Sequence, residues 1–309
     1  MISSFFSKTK PINYVVLSAF LVLFFGLYLI FGPNVDRIGR NYFLDTVTLG
    51  ALVMQLFVIN EIIRKEKATD FSSYAMLFFV LLLIVFPESM MDRNVVFCTF
   101  FILLSLWRLL AIKSIKNVKH KIFDATLFIG IASLFVDWAL LFLLLVFLVI
   151  NLYDRNTLKN WLVPFTAIST LGILLFTVLK LFDKLPFLQD HYTFNMGSFQ
   201  NGFFSFKMIK ILIYVLFILV LNVLVFLKLR KKGSGKLLTL RILSFAFVLS
   251  LVASFLSFDR ADLIILGIFP ASVFMTNYLE TFKQNRYKEV AIVLLLFLPF
   301  FVLAVQMSS

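Results

Sequence analysis

The stretch at 122–152 reads IFDATLFIGIASLF, then Val136-Asp137-Trp138, then ALLFLLLVFLVINL. Two apolar runs of 14 residues meet at one acid and one tryptophan. A helix needs roughly 20 residues to cross a bilayer core, so each run is short for a span and the pair is too long for one. Whether the chain returns at Asp137 decides the direction of every later segment.

Hydrophobic residues make up 61% of the chain and Phe alone occupies 41 of 309 positions. Mean hydropathy is +1.01. A water-soluble core of this size cannot hide that much apolar surface. The runs are continuous and lack the alternation of an outer-membrane barrel. The expected fold is all-α, a polytopic bundle forming one integral membrane domain over 1–309.

Eleven spans are predicted: 14–31, 42–63, 74–86, 95–112, the two hairpin halves at 122–135 and 139–152, then 161–182, 208–227, 242–258, 263–279 and 290–306. The first is expected to be retained, because it is too long for a signal peptide and lacks a small-residue cleavage site. With the N-terminus inside and the hairpin returning, 21 of the 29 Lys and Arg fall on the inner side. If the hairpin crossed only once, the basic turn around Lys228–Arg241 would face outward, against the positive-inside rule. The expected topology is N-terminus inside and C-terminus outside, in a bacterial inner membrane. Charge does not separate a double crossing from a re-entrant hairpin.

The net charge of +13 sits between apolar runs. That pattern points to anionic lipid head groups at the inner face, not to nucleic acid. The single cysteine, Cys98, lies in an apolar run, and His120 and His191 are expected on opposite sides. No metal and no cofactor is expected.

Nine of the 16 acids fall outside, among them Asp36, Asp45, Asp137, Asp259 and Asp262. Acids at one mouth of a bundle can act as a base or hold a cation. Short wet loops also simply carry charge. Asp137, with Asp36 and Asp45, is the catalytic candidate set; Asp137 fits a helix cap equally well. Arg260, with Asp259 and Asp262, is the substrate-binding candidate, since an outward arginine can take a phosphate through two bonds. A local ion pair in a tight turn is the plainer account of the same residues. Asn222 and Asn277 are expected to bond between helices, and Glu61 and Glu280 to be solvated at inner helix ends. No phosphate loop, nucleophile elbow or metalloprotease motif occurs.

Gly130-Ile131-Ala132-Ser133-Leu134-Phe135 and Ala139-Leu140-Leu141-Phe142-Leu143-Leu144 resemble the paired short helices of GT-C-type membrane glycosyltransferases. Asp154-Arg155, Trp161-Leu162 and Pro164 are similar to the following turn and span, and Ile268-Phe269-Pro270-Ala271 to a late proline-containing helix. That resemblance implies a polyprenyl-phosphate donor and acids in the first outward loop, at Asp36 and Asp45. The chain departs from it in a first loop of only about a dozen residues and in having no appended periplasmic domain. The opening SFFSKTKPIN and the FDATLFIGIASLF stretch resemble a family of uncharacterised multi-pass inner-membrane proteins common in Bacteroidota, which implies no activity.

Three functions stay open. The first, toward which the sequence leans, is a non-catalytic subunit or scaffold of a cell-envelope membrane complex with protein partners in the membrane. The second is an enzyme or carrier for a lipid-linked substrate at the outer face, and the third a secondary transporter. Whether the chain is an enzyme is not decided by its residues.

Overall fold

A computed structural model describes residues 2–31, 41–194, 206–229, 234–257, 263–282 and 284–308. Its described helices are α1 (Ile2–Phe6), α2 (Pro11–Phe31), α3 (Tyr42–Glu66), α4 (Tyr74–Val85), α5 (Pro87–Met91), α6 (Arg93–Leu110) and α7 (Val118–Ser133). They continue with α8 (Leu143–Tyr153), α9 (Leu158–Leu181), α10 (Pro186–His191), α11 (Phe206–Leu229), α12 (Ser234–Leu256), α13 (Ile268–Glu280) and α14 (Asn285–Ser308). No strand occurs among the described residues.

The helix ends follow local chemistry. The Asn41 side chain accepts the Leu44 amide at the start of α3, and Lys67 closes it in the left-handed region at φ 50°. Asp92 takes the Asn94 and Val95 amides at the start of α6. Each satisfies donors that a helix start leaves unpaired. Pro87 cannot continue α4 and opens α5 instead.

Among the described residues, seven helices are long and apolar enough to cross a bilayer: α2, α3, α6 with its following turn, α9, α11, α12, and α13 with the turn before it. Eleven were expected. Three of the four expected spans that are not counted are short segments, and the fourth lies in α14. The α4 helix has 12 residues, about 18 Å of rise, and all of them are buried. A helix apolar on every side but enclosed by protein is a core element, and 10–14 apolar residues fit that role better than a span. The α13 segment is nearly as enclosed, with Phe269, Ala271, Val273 and Phe274 at 0–1% exposure. The two helices pack on each other, with α14 against α4 and with α11 and α12 against α13. The hairpin halves are likewise short, and the side chains of α14 are described only as far as Val302.

A second row of helices runs α3, α6, α7, α9, each packed on the next. Gln55 of α3 donates to the Val96 carbonyl of α6, 3.0 Å away and buried. Asn222 of α11 donates to Ser244 of α12 at 2.7 Å, and Asn277 of α13 to the Ala68 carbonyl at 3.0 Å. Asn222 bonds between helices as expected, whereas Asn277 ties α13 to the chain just past α3.

At the turn into α13, a side chain added at Gly267 would run into Ser250 and the Phe247 ring of α12. Gly267→Val is expected to cost about 1–3 kcal/mol by overpacking, read as a lowered unfolding midpoint in detergent. Gly50, with nothing within 4 Å of an added Cβ, is the control, where the same change should cost little.

Two ends of the bundle are distinguishable. At one, Ser73 donates its amide to the Phe6 carbonyl, Glu289 accepts from the Ile2 and Ser3 amides, and Lys236 pairs with Asp70. Lys113 meets Glu66, and Lys228 donates to Thr281. At the other end Arg93 pairs with Asp45, and Phe97 of α6 stacks on Phe135 past the end of α7. Among the described residues, these contacts bring the chain around 2–6, 66–73, 113, 228–236 and 281–289 to one end. His120 and His191 are separated the same way, at opposite ends of α7.

Candidate functional site

Among the described residues, the hairpin tip gathers a polar cluster at the less basic end. The α7 helix stops at Ser133, and the chain re-enters a tight 3-10 turn at Asp137–Phe142 before α8. Asp137 is 7% exposed. One carboxylate oxygen accepts the Trp138 amide at 2.8 Å, and the other accepts the Phe194 amide at 3.2 Å. The Trp138 and Phe194 rings meet edge to face at 5.5 Å. The cap position of the turn is Val136, so Asp137 is not the expected cap: it bonds the next amide from inside the turn, while its second oxygen reaches a residue 57 positions away.

Ser133 receives two further contacts from the same connection. His191 Nε2 lies 2.8 Å from the Ser133 carbonyl. A carbonyl only accepts, so Nε2 carries the proton. The Ser133 hydroxyl donates to the Gly130 carbonyl at 2.7 Å, which leaves the Tyr192 hydroxyl, 2.9 Å away, to donate to Ser133 Oγ. Burial raises the Tyr192 phenol above its ordinary pKa, which keeps that donor protonated. His191 also stacks on Phe187. The chain after α9 is thus latched onto the tip at Asp137 and Ser133.

This arrangement is a clasp. The histidine addresses the serine carbonyl instead of its hydroxyl, and both oxygens of Asp137 hold backbone amides. One group stays open. The Trp138 indole N–H is buried and has no acceptor among the described residues.

The other candidates do not join it. Asp45, 5% exposed, accepts from Arg93 at 3.0 Å (Nη2) and 3.3 Å (Nε), fixing α3 to α6. Asp36, Asp259, Arg260 and Asp262 lie outside the described residues. Among the described residues no three His, Cys, Asp or Glu side chains gather where they could hold a metal.

Removing Arg93 takes from the buried Asp45 carboxylate a cation that reaches it through two bonds. Since Arg93 itself is 35% exposed, water reaches the pair, and Arg93→Ala is expected to cost about 1–2 kcal/mol. Adding Asp45→Asn should recover part of that loss in a double-mutant cycle on detergent unfolding.

Sequence reasoning singled out Asp137 but not its partners. The meeting of Ser133 with His191 and Tyr192 spans 58 and 59 positions and leaves no local pattern. Glu280 is a correction at the opposite end. Expected to be solvated, it is half-buried, accepting from the Asp70 amide at 3.1 Å and from Ser72 Oγ at 2.7 Å. Glu61 is nearer to expectation, paired on the surface with Arg64 and Lys65.

Residues 7–308 match the model of a family of unknown function, DUF6427. The chain belongs to this family. No curated protein and no solved structure matches it. The helices long and apolar enough to span, together with the composition, make this DUF6427 chain a membrane protein.

Proposed function

We propose that this DUF6427 protein is a non-catalytic subunit or scaffold in a bacterial inner-membrane complex, docking a transmembrane helix of another protein on α9. The observation that carries it is the α9 surface. Only Asn160, Pro164 and Ala167 of its 24 residues are buried, against α7 and α8. The exposed side carries Thr166, Ser169, Thr170 and Thr177 among Ile173, Leu174 and Phe176, and Gly172 has nothing within 4 Å of an added Cβ. Small and hydroxyl-bearing residues let a second helix backbone come close, which gains packing energy that lipid tails do not supply. Thr166, Thr170 and Thr177 lie on one helical face, and their hydroxyls bond back to carbonyls of the same helix, so that face presents methyl groups and little free polarity.

In this reading the basic end faces the cytoplasm and its anionic lipid, the hairpin returns to that side, and the clasp at Asp137 braces the outer end behind α9. The clasp is a strut that keeps the docking helix at a fixed angle.

Gentle detergent extraction of the tagged full chain from its own membranes tests it. One membrane protein should co-purify in fixed proportion, and Thr166→Leu with Thr170→Leu should release it while the subunit remains folded. A second reading, action on a lipid-linked substrate at the outer face, is favoured by the unpaired Trp138 indole beside Asp137. A clean monomer whose cellular function is abolished by Asp137→Asn would decide for that reading.

A further inference from the structure

At the basic end, a cavity of about 460 Å³ opens between the start of α2 and the last turns of α3. Lys8 and Lys10 line it from the chain before α2, and Arg64 from α3, with Tyr14 and Asn60 behind them.

The short segment carrying the two lysines is held by buried side chains. Asn13, fully buried, donates to the Lys8 carbonyl at 2.8 Å and to Ser73 Oγ at 2.7 Å. Thr9 Oγ1 donates to the Phe71 carbonyl at 3.3 Å. The lysines are therefore presented by a fastened turn, although their side chains stay in contact with water.

The charge of the cavity is unbalanced. Arg64 shares Glu61 with Lys65, whereas neither Lys8 nor Lys10 meets a carboxylate among the described residues. The neighbouring acid, Asp70, is taken by Lys236.

Apolar surface adjoins this cationic mouth. Tyr14 stacks on Phe57 at 5.0 Å, and Phe57 is 47% exposed one turn in from Asn60. Val15 and Val16 of α2 are exposed at the same depth. Positive charge at the bundle end and an apolar slope beneath it match a molecule with a phosphate at one end and acyl chains at the other.

We propose that this cavity binds the phosphodiester head group of an anionic phospholipid, with Lys8, Lys10 and Arg64 around the phosphate and the acyl chains on the α2–α3 face. The site narrows the general affinity for anionic lipid, part of the reading above, to one place. It holds in either orientation of the chain and without any protein partner.

The test is native mass spectrometry of the full chain released from symmetric vesicles of equal phosphatidylglycerol and phosphatidylcholine. The chain should retain one phosphatidylglycerol in preference to phosphatidylcholine. Retention should fall at least about tenfold in the triple variant K8Q/K10Q/R64Q, which loses charged hydrogen-bond donors. The variant K116Q/K119Q, with two exposed lysines removed elsewhere at the same end, should retain the lipid fully. Thermal melting of each variant verifies that it is folded.

Equal loss in both variants would reduce the effect to general surface charge and overturn the proposal. So would unchanged retention in the triple variant. Displacement by millimolar glycerol 1-phosphate would assign the site to soluble phosphate esters and overturn the lipid assignment.

Discussion

Phe79→Ala is expected to lower stability by about 2–3 kcal/mol, although the same substitution at Phe165 should cost less than about 0.5 kcal/mol. Phe79 is fully enclosed in α4, whereas Phe165 on α9 is 58% exposed. In a bilayer the two environments are equally apolar, so the transfer part of the hydrophobic effect nearly cancels. What remains is the void. Truncating an enclosed ring leaves up to roughly 100 Å³ unfilled, at about 24 cal/mol per Å³. On a lipid-facing surface an acyl chain fills the gap. Unfolding midpoints of the two variants in mixed detergent measure the difference. If α4 were a lipid-facing span, the two losses would be alike.

The second large effect is expected at the clasp. Asp137→Ala removes the acceptor for the Trp138 and Phe194 amides together. The buried Trp138 amide left unpaired costs about 1–3 kcal/mol, whereas the Phe194 amide is only part-buried and regains water, so the tip should lose about 1–3 kcal/mol. The loss should be local, freeing the chain after α9 for cleavage at the exposed Lys184 well below the global melting temperature. Asp137→Asn keeps one acceptor oxygen and sets an NH₂ against a backbone N–H, so it should show about half the effect. A catalytic base gives the opposite pattern: both variants inactive and both as resistant to protease as the native chain.

The features visible in the chain beforehand share one property: they are local. The break at Val136-Asp137-Trp138 interrupts an apolar run with an acid, and the helix does end there. Of the lysines between apolar runs, Lys113, Lys228 and Lys236 are gathered at one end. Asn222 and Asn277 stand out because a lone amide in an apolar helix needs a partner, and each has one.

Other features depend on who the neighbour is. FVLLLIV in α4 has the same composition whether lipid or protein surrounds it, so a span of 74–86 and an enclosed core helix could not be told apart by hydropathy. Glu280 near a helix end resembles any solvated acid until Asp70 and Ser72, more than 200 positions earlier, are brought beside it. The cavity at Lys8 is of the same kind, since Asn13 and Ser73, 60 positions apart, hold it in place.

The clasp and the α9 surface support one account, in which the outer end is braced so that α9 can be offered to a partner. A photo-activatable amino acid placed at Thr170, with the full chain in its native membrane, tests this most directly. The account predicts one discrete protein adduct from Thr170 and from Thr166, and none from Val220 on the comparably exposed α11. Adducts to lipid alone at Thr170, or the same protein adducts at Val220, would contradict it.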